Sequence, residues 1–251
     1  MAIKTIDILP TAQAAEGYDF SVSVAVVIDV LRATSVITNA LSNGASAVAP
    51  VLSPEEGFAL ADKLGRYGVV LGGERNADVI PGYDLGNSPQ DYAPGAVAGK
   101  TVVITTTNGT VALRASSSAK SVIAASMLNY KAAAIKAVRM AVELCAESVV
   151  FVCSGNYGAL TLEDCFCAAV MADVAADLCP SAAFASDMAV AIHDLARGRS
   201  ADDVSFISRS AHYGRLIAKG YSADVDFCLR HPDSLATVPI MCADGFIRLA
   251  E

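Results

Sequence analysis

The chain has no tryptophan, only three histidines among its 251 residues, and few charged side chains, which make up 18% of the sequence. Hydrophobic residues make up 54%, which excludes a disordered chain and is typical of buried parallel strands covered by helices. Acidic residues outnumber basic ones by 26 to 18, so the net charge is −8. This charge excludes non-specific nucleic-acid binding, and an anionic substrate would need local arginines to bind it.

Targeting and membrane signals are also missing. Residues 1–20 carry one lysine and no continuous apolar core, so no signal peptide is predicted. The longest uncharged stretch, residues 33–54, is interrupted by Asn, Gly, Pro and Ser and predicts no membrane span. The seven cysteines are an odd number, and most lie on apolar segments, as buried thiols do in a reducing compartment. We therefore expect a cytoplasmic protein that has no membrane partner.

Strand and helix signals alternate along the chain. Apolar, β-branched runs predict strands at residues 23–29, 46–52, 68–72, 101–106, 121–125 and 148–153. Helical patterns fall at residues 34–43, 53–64, 110–115, 130–146, 162–178, 187–196 and 202–219, before an extended piece at 237–249. This order predicts an α/β fold, a three-layer α/β/α sandwich with a largely parallel or mixed sheet. We take residues 1–251 as one domain, with a division into lobes 1–127 and 128–251 around the site as a further prediction.

Four of the predicted strands run into polar clusters. The segments are VVIDVLRATS, VVLGGER, VVITTTNGT and VVFVCSGNYGALTLED, which begin at Val26, Val69, Val102 and Val149. Because ligands bind beyond the carboxyl ends of parallel strands, these clusters are expected to converge on one crevice. Their carboxylates suit a divalent metal, and their arginines, hydroxyls and glycines suit an oxyanion. The long loop at residues 74–100 is expected to be functional as well.

Three common phosphate-chemistry motifs are absent. GAVAGKT has only three residues between its glycines, so it is no P-loop. Asp29 lacks the second aspartate of haloacid-dehalogenase phosphatases, because Leu31 occupies that position. Cys153 lacks the arginine that a cysteine phosphatase places six residues later, where Ala159 stands. Metal-assisted attack or an unusual nucleophile is therefore favoured.

Structural interpretations of the same residues remain open. Thr34 or Ser35 could simply cap a helix, Asp164 could cap another, and TTTNGT could be a polar turn. Cys153 is favoured as a small apolar residue at a strand end. The three histidines, His193, His212 and His231, have no metal-ligand spacing, so they are expected to be structural or at the surface, and no zinc site is predicted.

Six motifs together resemble one known family. DVLRATS, GGER, GYDLGNSP, TTTNGT, CSGNYGALTLED and DVDFCLRHPDSLATVP occur in order over nearly the whole chain and resemble the 2-phosphosulfolactate phosphatase family. The resemblance implies an α/β enzyme that is a phosphoric monoester hydrolase. It also implies Mg²⁺-dependent conversion of 2-phospho-3-sulfolactate to 3-sulfolactate and phosphate, as in coenzyme M biosynthesis.

Residue reasoning and resemblance together predict the site. Catalytic roles fall to Asp29, Arg32, Glu74 and Asp164, with Mg²⁺ held by carboxylates among Asp29, Glu74 and Asp164. Either a water or Asp29 itself attacks the phosphorus. The predicted substrate-binding residues, with Arg75 and Asn87 on the sulfonate or carboxylate, are Thr34, Ser35, Arg75, Asn87, Thr106, Thr107, Asn108, Gly109 and Cys153.

The sequence is also compatible with two other functions. The chain could be a phosphatase of another small phospho-acid, which the sequence does not separate from sulfolactate chemistry. It could also be a non-catalytic binder of a small dianion, although several acids beside an anion site would repel the ligand unless a cation lies between them. The expected partner is a small anionic phosphomonoester, and the apolar carboxyl-terminal helices favour a homodimer.

Overall fold

The β-branched segments form one sheet of eleven strands in the computed structural model, which describes residues 3–249. The strands are β1 Thr5–Leu9, β2 Ser23–Ile28, β3 Ala47–Pro50, β4 Val69–Arg75, β5 Asp78–Val79, β6 Thr101–Thr105, β7 Ser121–Ala125, β8 Ser148–Cys153, β9 Ala183–Phe184, β10 Pro239–Met241 and β11 Ile247–Leu249. Their order across the sheet is β5-β4-β6-β3-β11-β10-β7-β2-β8-β1-β9.

Helices connect most of these strands. They are α1 Ala12–Ala15, α2 Ala33–Ser42, α3 Pro54–Leu64, α4 Pro94–Val97, α5 Gly109–Ala115, α6 Tyr130–Glu143, α7 Leu162–Leu178, α8 Asp187–His193, α9 Val204–Ile207, α10 Ala211–Ala218 and α11 Ser222–Leu229. Short 3₁₀ turns occur at Arg66–Gly68, Pro89–Asp91 and Asp194–Ala196. Among the described helices, none is long and apolar enough to cross a membrane.

The sheet consists of two parallel blocks joined by a hairpin. Strands β4, β6 and β3 pair in parallel, and so do β7, β2, β8, β1 and β9. The antiparallel hairpin β10–β11 lies between them, with β10 on β7 and β11 on β3. The predicted α/β class with a largely parallel or mixed sheet is thus confirmed.

Side chains of β2 alternate between two apolar layers, as the two-residue period of a strand requires. Val26 lies in one buried cluster with Ala137 of α6 and Phe166 of α7. Val27 lies in the other with Val36 of α2 and Ala112 of α5. Helices therefore cover both faces of the sheet, and polar side chains reach solvent chiefly where the strands end.

The carboxyl-terminal region differs from the prediction in two respects, one of which is helix α11, Ser222–Leu229, where no helix is predicted. The single helix predicted at residues 202–219 is wrong, because it is divided into α9 and α10. The hydroxyl of Ser210 accepts the N–H groups of His212 and Tyr213 and so caps a new helix there. β1 and β2, from before residue 127, both pair with β8, from after it. The division into lobes at that residue stays a prediction.

Candidate active site

The carboxyl ends of β2, β4, β6 and β8 surround a cavity of about 200 Å³, and helix α10 closes its far side. This is the crevice that the four polar clusters predict. The lining includes six of the residues predicted for the site, which are Asp29, Arg32, Glu74, Asn87, Thr107 and Asn108.

Asp29 follows β2 directly and is only 8% exposed. Its carboxylate Oδ1 accepts the N–H of Ala33, in the first turn of α2, at 3.1 Å. Burial raises the pKa of Asp29 to about 6, against the lowering effect of that N–H and of His212, while Glu74 and Glu163 raise it further. The site therefore holds a carboxyl that titrates well above its ordinary range.

Gly109 leaves the space that the other oxygen of Asp29 occupies. A Cβ at position 109 would lie 2.6 Å from Oδ2 of Asp29 and 2.6 Å from the Cβ of Ala33. Any larger residue would therefore push against the carboxylate. Gly109 acts here by its small size, at the first residue of α5.

Glu74 connects three segments around the cavity. Its Oε1 accepts the N–H of Thr107 and its Oε2 accepts the N–H of Ala77, both at 2.7 Å. The carboxylate is buried but belongs to the cavity lining. It thus fixes the loop after β6 and the loop after β4 around one negative charge.

Asp164 lies outside the cavity lining although it is equally buried. Its Oδ1 accepts the N–H of Val30 at 2.8 Å, and its Oδ2 accepts the N–H of Gly155 at 3.1 Å. Burial raises its pKa well above the ordinary value, as do the charges of Asp29 and Glu163. In this position Asp164 ties the loop after β2 to the loop after β8.

The donor set suits a magnesium ion at Asp29 and Glu74. No group of three or more His, Cys, Asp or Glu side chains within residues 3–249 is arranged to hold a metal. Mg²⁺, however, commonly takes one or two carboxylates and completes its octahedron with water and phosphate oxygens. Two cavity carboxylates fit that pattern, whereas Asp164 lies outside the cavity lining.

Arg32 is the buried cation of the site, at 2% exposure. Its Nη1 donates to Oδ2 of Asp224 at 2.5 Å, its Nη2 donates to the carbonyl of Ala77 at 3.2 Å, and its guanidinium lies 4.1 Å from the ring centre of Tyr221. The hydroxyl of Ser88 donates to the same Asp224 oxygen at 2.7 Å. Helix α11 therefore sets the position of Arg32 beside Asp29.

The long loop after β4 contributes to the lining, as predicted from its length. Asn76, Ala77 and Asn87 all face the cavity. The side-chain oxygen of Asn87 is buried, and no hydrogen-bond partner for it occurs in the described part of the chain. Asn39 of α2 anchors the loop by donating to the carbonyl of Pro89 at 2.8 Å.

Residues after β6 and β8 complete the strand side of the cavity. The amide of Asn108 donates to Oδ1 of Asn156 at 3.1 Å and accepts the N–H of Tyr157 at 3.3 Å. The Thr107 hydroxyl is buried and has no partner within residues 3–249. These groups offer hydrogen bonds to a ligand in the cavity.

Comparison with known proteins agrees with the motifs. The family model described as 2-phosphosulpholactate phosphatase matches residues 10–244. The chain belongs to the 2-phosphosulpholactate phosphatase family. A probable 2-phosphosulfolactate phosphatase of Caldicellulosiruptor saccharolyticus is 40% identical over 83% of this chain and 85% of its own. Proteins of the same name from Symbiobacterium thermophilum and Clostridium acetobutylicum are 40% and 35% identical, over 91% and 93% of this chain and 94% and 96% of theirs. The predicted resemblance to this phosphoric monoester hydrolase family is confirmed.

Some predicted binding residues of this family member support the loops and do not line the cavity. Thr34 and Ser35 donate their hydroxyls to the carbonyls of Asp29 and Val30, each at 2.8 Å. The Thr106 hydroxyl accepts the N–H of Thr110 at 3.1 Å. All three predicted residues thus hold the strand-end turns in shape.

Arg75 and Cys153 also lie outside the lining. The Arg75 guanidinium donates to the carbonyls of Glu74 and Leu52 and to the hydroxyl of Thr105, at 2.8 to 3.0 Å. Cys153 is fully buried in the core, and contact with Cys165 and burial raise the pKa of its thiol. The interpretation of Cys153 as a small strand-end residue agrees with this position.

Sequence reasoning missed the residues of α10. His212 and Arg215 of α10, and Lys219 directly after it, line the cavity, a position that the sequence did not predict for them. The ring Nδ1 of His212 donates to Oε1 of Glu163 at 2.8 Å. The spacing of three and four residues places all three on one helix face, which was the available signal.

Proposed function

We propose that the protein is a magnesium-dependent phosphatase that hydrolyses 2-phospho-3-sulfolactate to 3-sulfolactate and phosphate. The observation that carries this proposal is that one cavity holds both carboxylates and cationic side chains. Asp29 and Glu74 line it together with Arg32, Arg215 and Lys219. A substrate with a phosphate, a carboxylate and a sulfonate needs a cation at its reacting end and cationic side chains at its other end.

Mg²⁺ would be held by Asp29 and Glu74, where it would neutralise the phosphate oxygens and orient the attacking water. The Thr107 hydroxyl and the Asn108 amide would donate to phosphoryl oxygens. Asp164 is assigned a positioning role, because its two oxygens hold the backbone of the loops that carry Asp29.

Asp29 would accept the proton of the attacking water. Its second oxygen, beside Gly109, has no hydrogen-bond partner within residues 3–249, which leaves it open to the proton of the attacking water. Direct attack by Asp29 is the alternative route. Trapping a phosphorylated Asp29 by acid quench and mass spectrometry would contradict the water route.

The far end of the substrate would lie against Arg32 and Asn87. Arg32 uses its Nη1 and Nη2 groups on Asp224 and Ala77, and a guanidinium has five N–H donors, so further donors remain for a sulfonate or carboxylate. The Asn87 amide is the second donor that was predicted there. Arg75 is not assigned to the substrate, because it lies outside the cavity lining.

Phosphate release by the purified protein tests the proposal. The substrates are 2-phosphosulfolactate, phospholactate and 2-phosphoglycerate, each with Mg²⁺ and with EDTA. We expect Mg²⁺-dependent release with the highest kcat/KM for phosphosulfolactate. A higher kcat/KM for another ester would indicate a different phospho-acid phosphatase. Tight binding without release from any ester would indicate the dianion binder and contradict the proposal.

A further inference from the structure

Glu163 is a fully buried carboxylate beside the candidate active site. It lies in the first turn of α7, where its Oε1 accepts the Nδ1–H of His212 at 2.8 Å. Its Oε2 has no partner among residues 3–249. A charged group in such surroundings is stable only beside a cation or strong donor, and His212 supplies one.

The ring of His212 is held at one nitrogen, and the residue lines the cavity. Nδ1 is occupied by Glu163, the side chain is 18% exposed, and the residue belongs to the cavity lining. Within residues 3–249, Nε2 has no hydrogen-bond partner. Nε2 is therefore the ring nitrogen that is left for a bound ester.

The surroundings of His212 complete this geometry. Ser210 caps α10 by accepting the N–H of His212, which fixes the helix start. Asp29 lies across the cavity, and Arg215 lies one turn further along the helix. A carboxylate that orients one imidazole nitrogen and leaves the other for the reacting group is the arrangement of a general acid or base.

We propose that His212 is the general acid that protonates the leaving oxygen of the ester, with Glu163 as its positioning residue. This inference rests on the proposed phosphatase function. When the bond between phosphorus and the ester oxygen breaks, the electron pair stays on that oxygen, which takes the proton from Nε2 and becomes the alcohol. The attacking water forms the new bond to phosphorus and gives its proton to Asp29, and solvent returns the proton from Asp29 to His212.

The acidity of the leaving alcohol provides the test. Phospholactate and its 3,3,3-trifluoro analogue have nearly the same shape, but the trifluoro alcohol is a much better leaving group. With His212→Gln, kcat on phosphosulfolactate and phospholactate should fall by about 10²-fold or more. The fall on the trifluoro ester should be less than about 10-fold, because that oxygen needs little protonation.

Glu163→Gln and a matched control sharpen the result. Glu163→Gln should lower kcat by less than His212→Gln, and the double variant should lose no more than His212→Gln alone, because the two side chains act as one unit. His193→Gln is the control, since His193 pairs with Asp173 outside the cavity lining and should leave kcat unchanged. Thermal unfolding of each variant checks that the fold is kept.

The outcomes separate this inference from the function on which it rests. Equal losses on the two lactate esters, or an unchanged kcat in His212→Gln, would overturn the acid role while the phosphatase activity stands. A wild type that releases no phosphate from phosphosulfolactate would overturn the proposed function first, and the inference with it.

Discussion

The two sides of the cavity are held in different ways. The strand wall, Asp29 and Glu74, is fixed by main-chain N–H donors, because Asp29 accepts from Ala33 and Glu74 accepts from two loops. The helix wall, Arg32 and His212 with Arg215 and Lys219, depends on side chains, because Asp224 holds Arg32 and Glu163 holds His212. The two cavity carboxylates are thus placed by the backbone, and Arg32 and His212 are placed by buried carboxylates.

This difference has a consequence for substitution. Among point mutations, only a substitution by proline removes a main-chain donor, so most substitutions change the strand wall only when they replace its own carboxylates. A carboxylate that holds a cation can be removed singly, which leaves the cation buried and unpaired. The helix wall should therefore show large effects at residues that never touch a ligand.

Asp29→Asn should give the largest loss of activity. The variant keeps the size of the side chain but removes the charge that would hold Mg²⁺ and accept a proton, so kcat should fall about 10³-fold. Phosphate release measures this. Asp19→Asn, at an exposed residue, is the control, and a loss of less than about 10-fold in Asp29→Asn would contradict the assignment.

Asp224→Ala tests the helix wall. Removing this carboxylate leaves the Arg32 guanidinium buried without its ion pair, which should lower the free energy of unfolding by about 3–5 kcal/mol. Denaturant unfolding measures the change. On the same helix, Asp226 pairs with Arg230 near the surface, so Asp226→Ala should cost far less. Equal losses in the two variants would show that Asp224 has no special part in holding the wall.

The stability of the apoprotein should reveal the raised pKa of Asp29. Folding raises this pKa from 3.8 to about 6. The folded chain therefore binds more protons than the unfolded chain between those values, and stability falls as the pH rises through that window. In EDTA, Asp29→Asn should be more stable than wild type at pH 8 by up to about 3 kcal/mol and show no such gain at pH 3. Equal gains at both pH values would contradict the titration.

Gly109→Ala tests the close packing of the strand wall. The added methyl group would meet Asp29 and Ala33 at 2.6 Å, so the variant should lose about 1–3 kcal/mol of stability and part of its activity. Gly95→Ala, where nothing lies within 4 Å of the added Cβ, is the matched control. Similar unfolding midpoints for the two variants would mean that the carboxylate moves aside freely.

Lys219→Ala should have the smallest effect. This lysine is partly exposed and pairs with Asp78 at 3.0 Å, so salt screens its charge. We expect KM to rise only about two- to fivefold at low ionic strength and the difference to shrink in 0.5 M salt, with kcat unchanged. A change in kcat would show that Lys219 takes part in the reaction itself, which would contradict a role limited to binding.

The strand wall was open to prediction because its residues follow β-branched runs. Asp29 and Glu74 end apolar strands, and parallel strands bring their carboxyl ends together whatever the rest of the fold does. Asp164 shows the limit of this reasoning. It also lies beside a strand-end cluster, but only the structure reveals that Val30 and Gly155 occupy its oxygens.

Apart from Arg32, the residues of the helix wall were not predicted, because their contacts join distant parts of the chain. Arg32 and Asp224 are 192 residues apart, and Glu163 and His212 are 49 apart. No local sequence pattern predicts which helix packs across the strand ends. The start of α10 was not predicted either, because Ser210 lies inside a continuous helical pattern.

The most direct test of the account is anomalous diffraction from crystals soaked with Mn²⁺ and phosphate. Mn²⁺ takes the same oxygen ligands as Mg²⁺ and can be located without ambiguity. We expect one strong Mn²⁺ peak within bonding distance of Asp29 and Glu74, with Asp164 outside the coordination sphere. Phosphate density should lie between this peak and the Thr107–Asn108 segment. A peak coordinated by Asp164, or phosphate bound with no metal in the cavity, would contradict it.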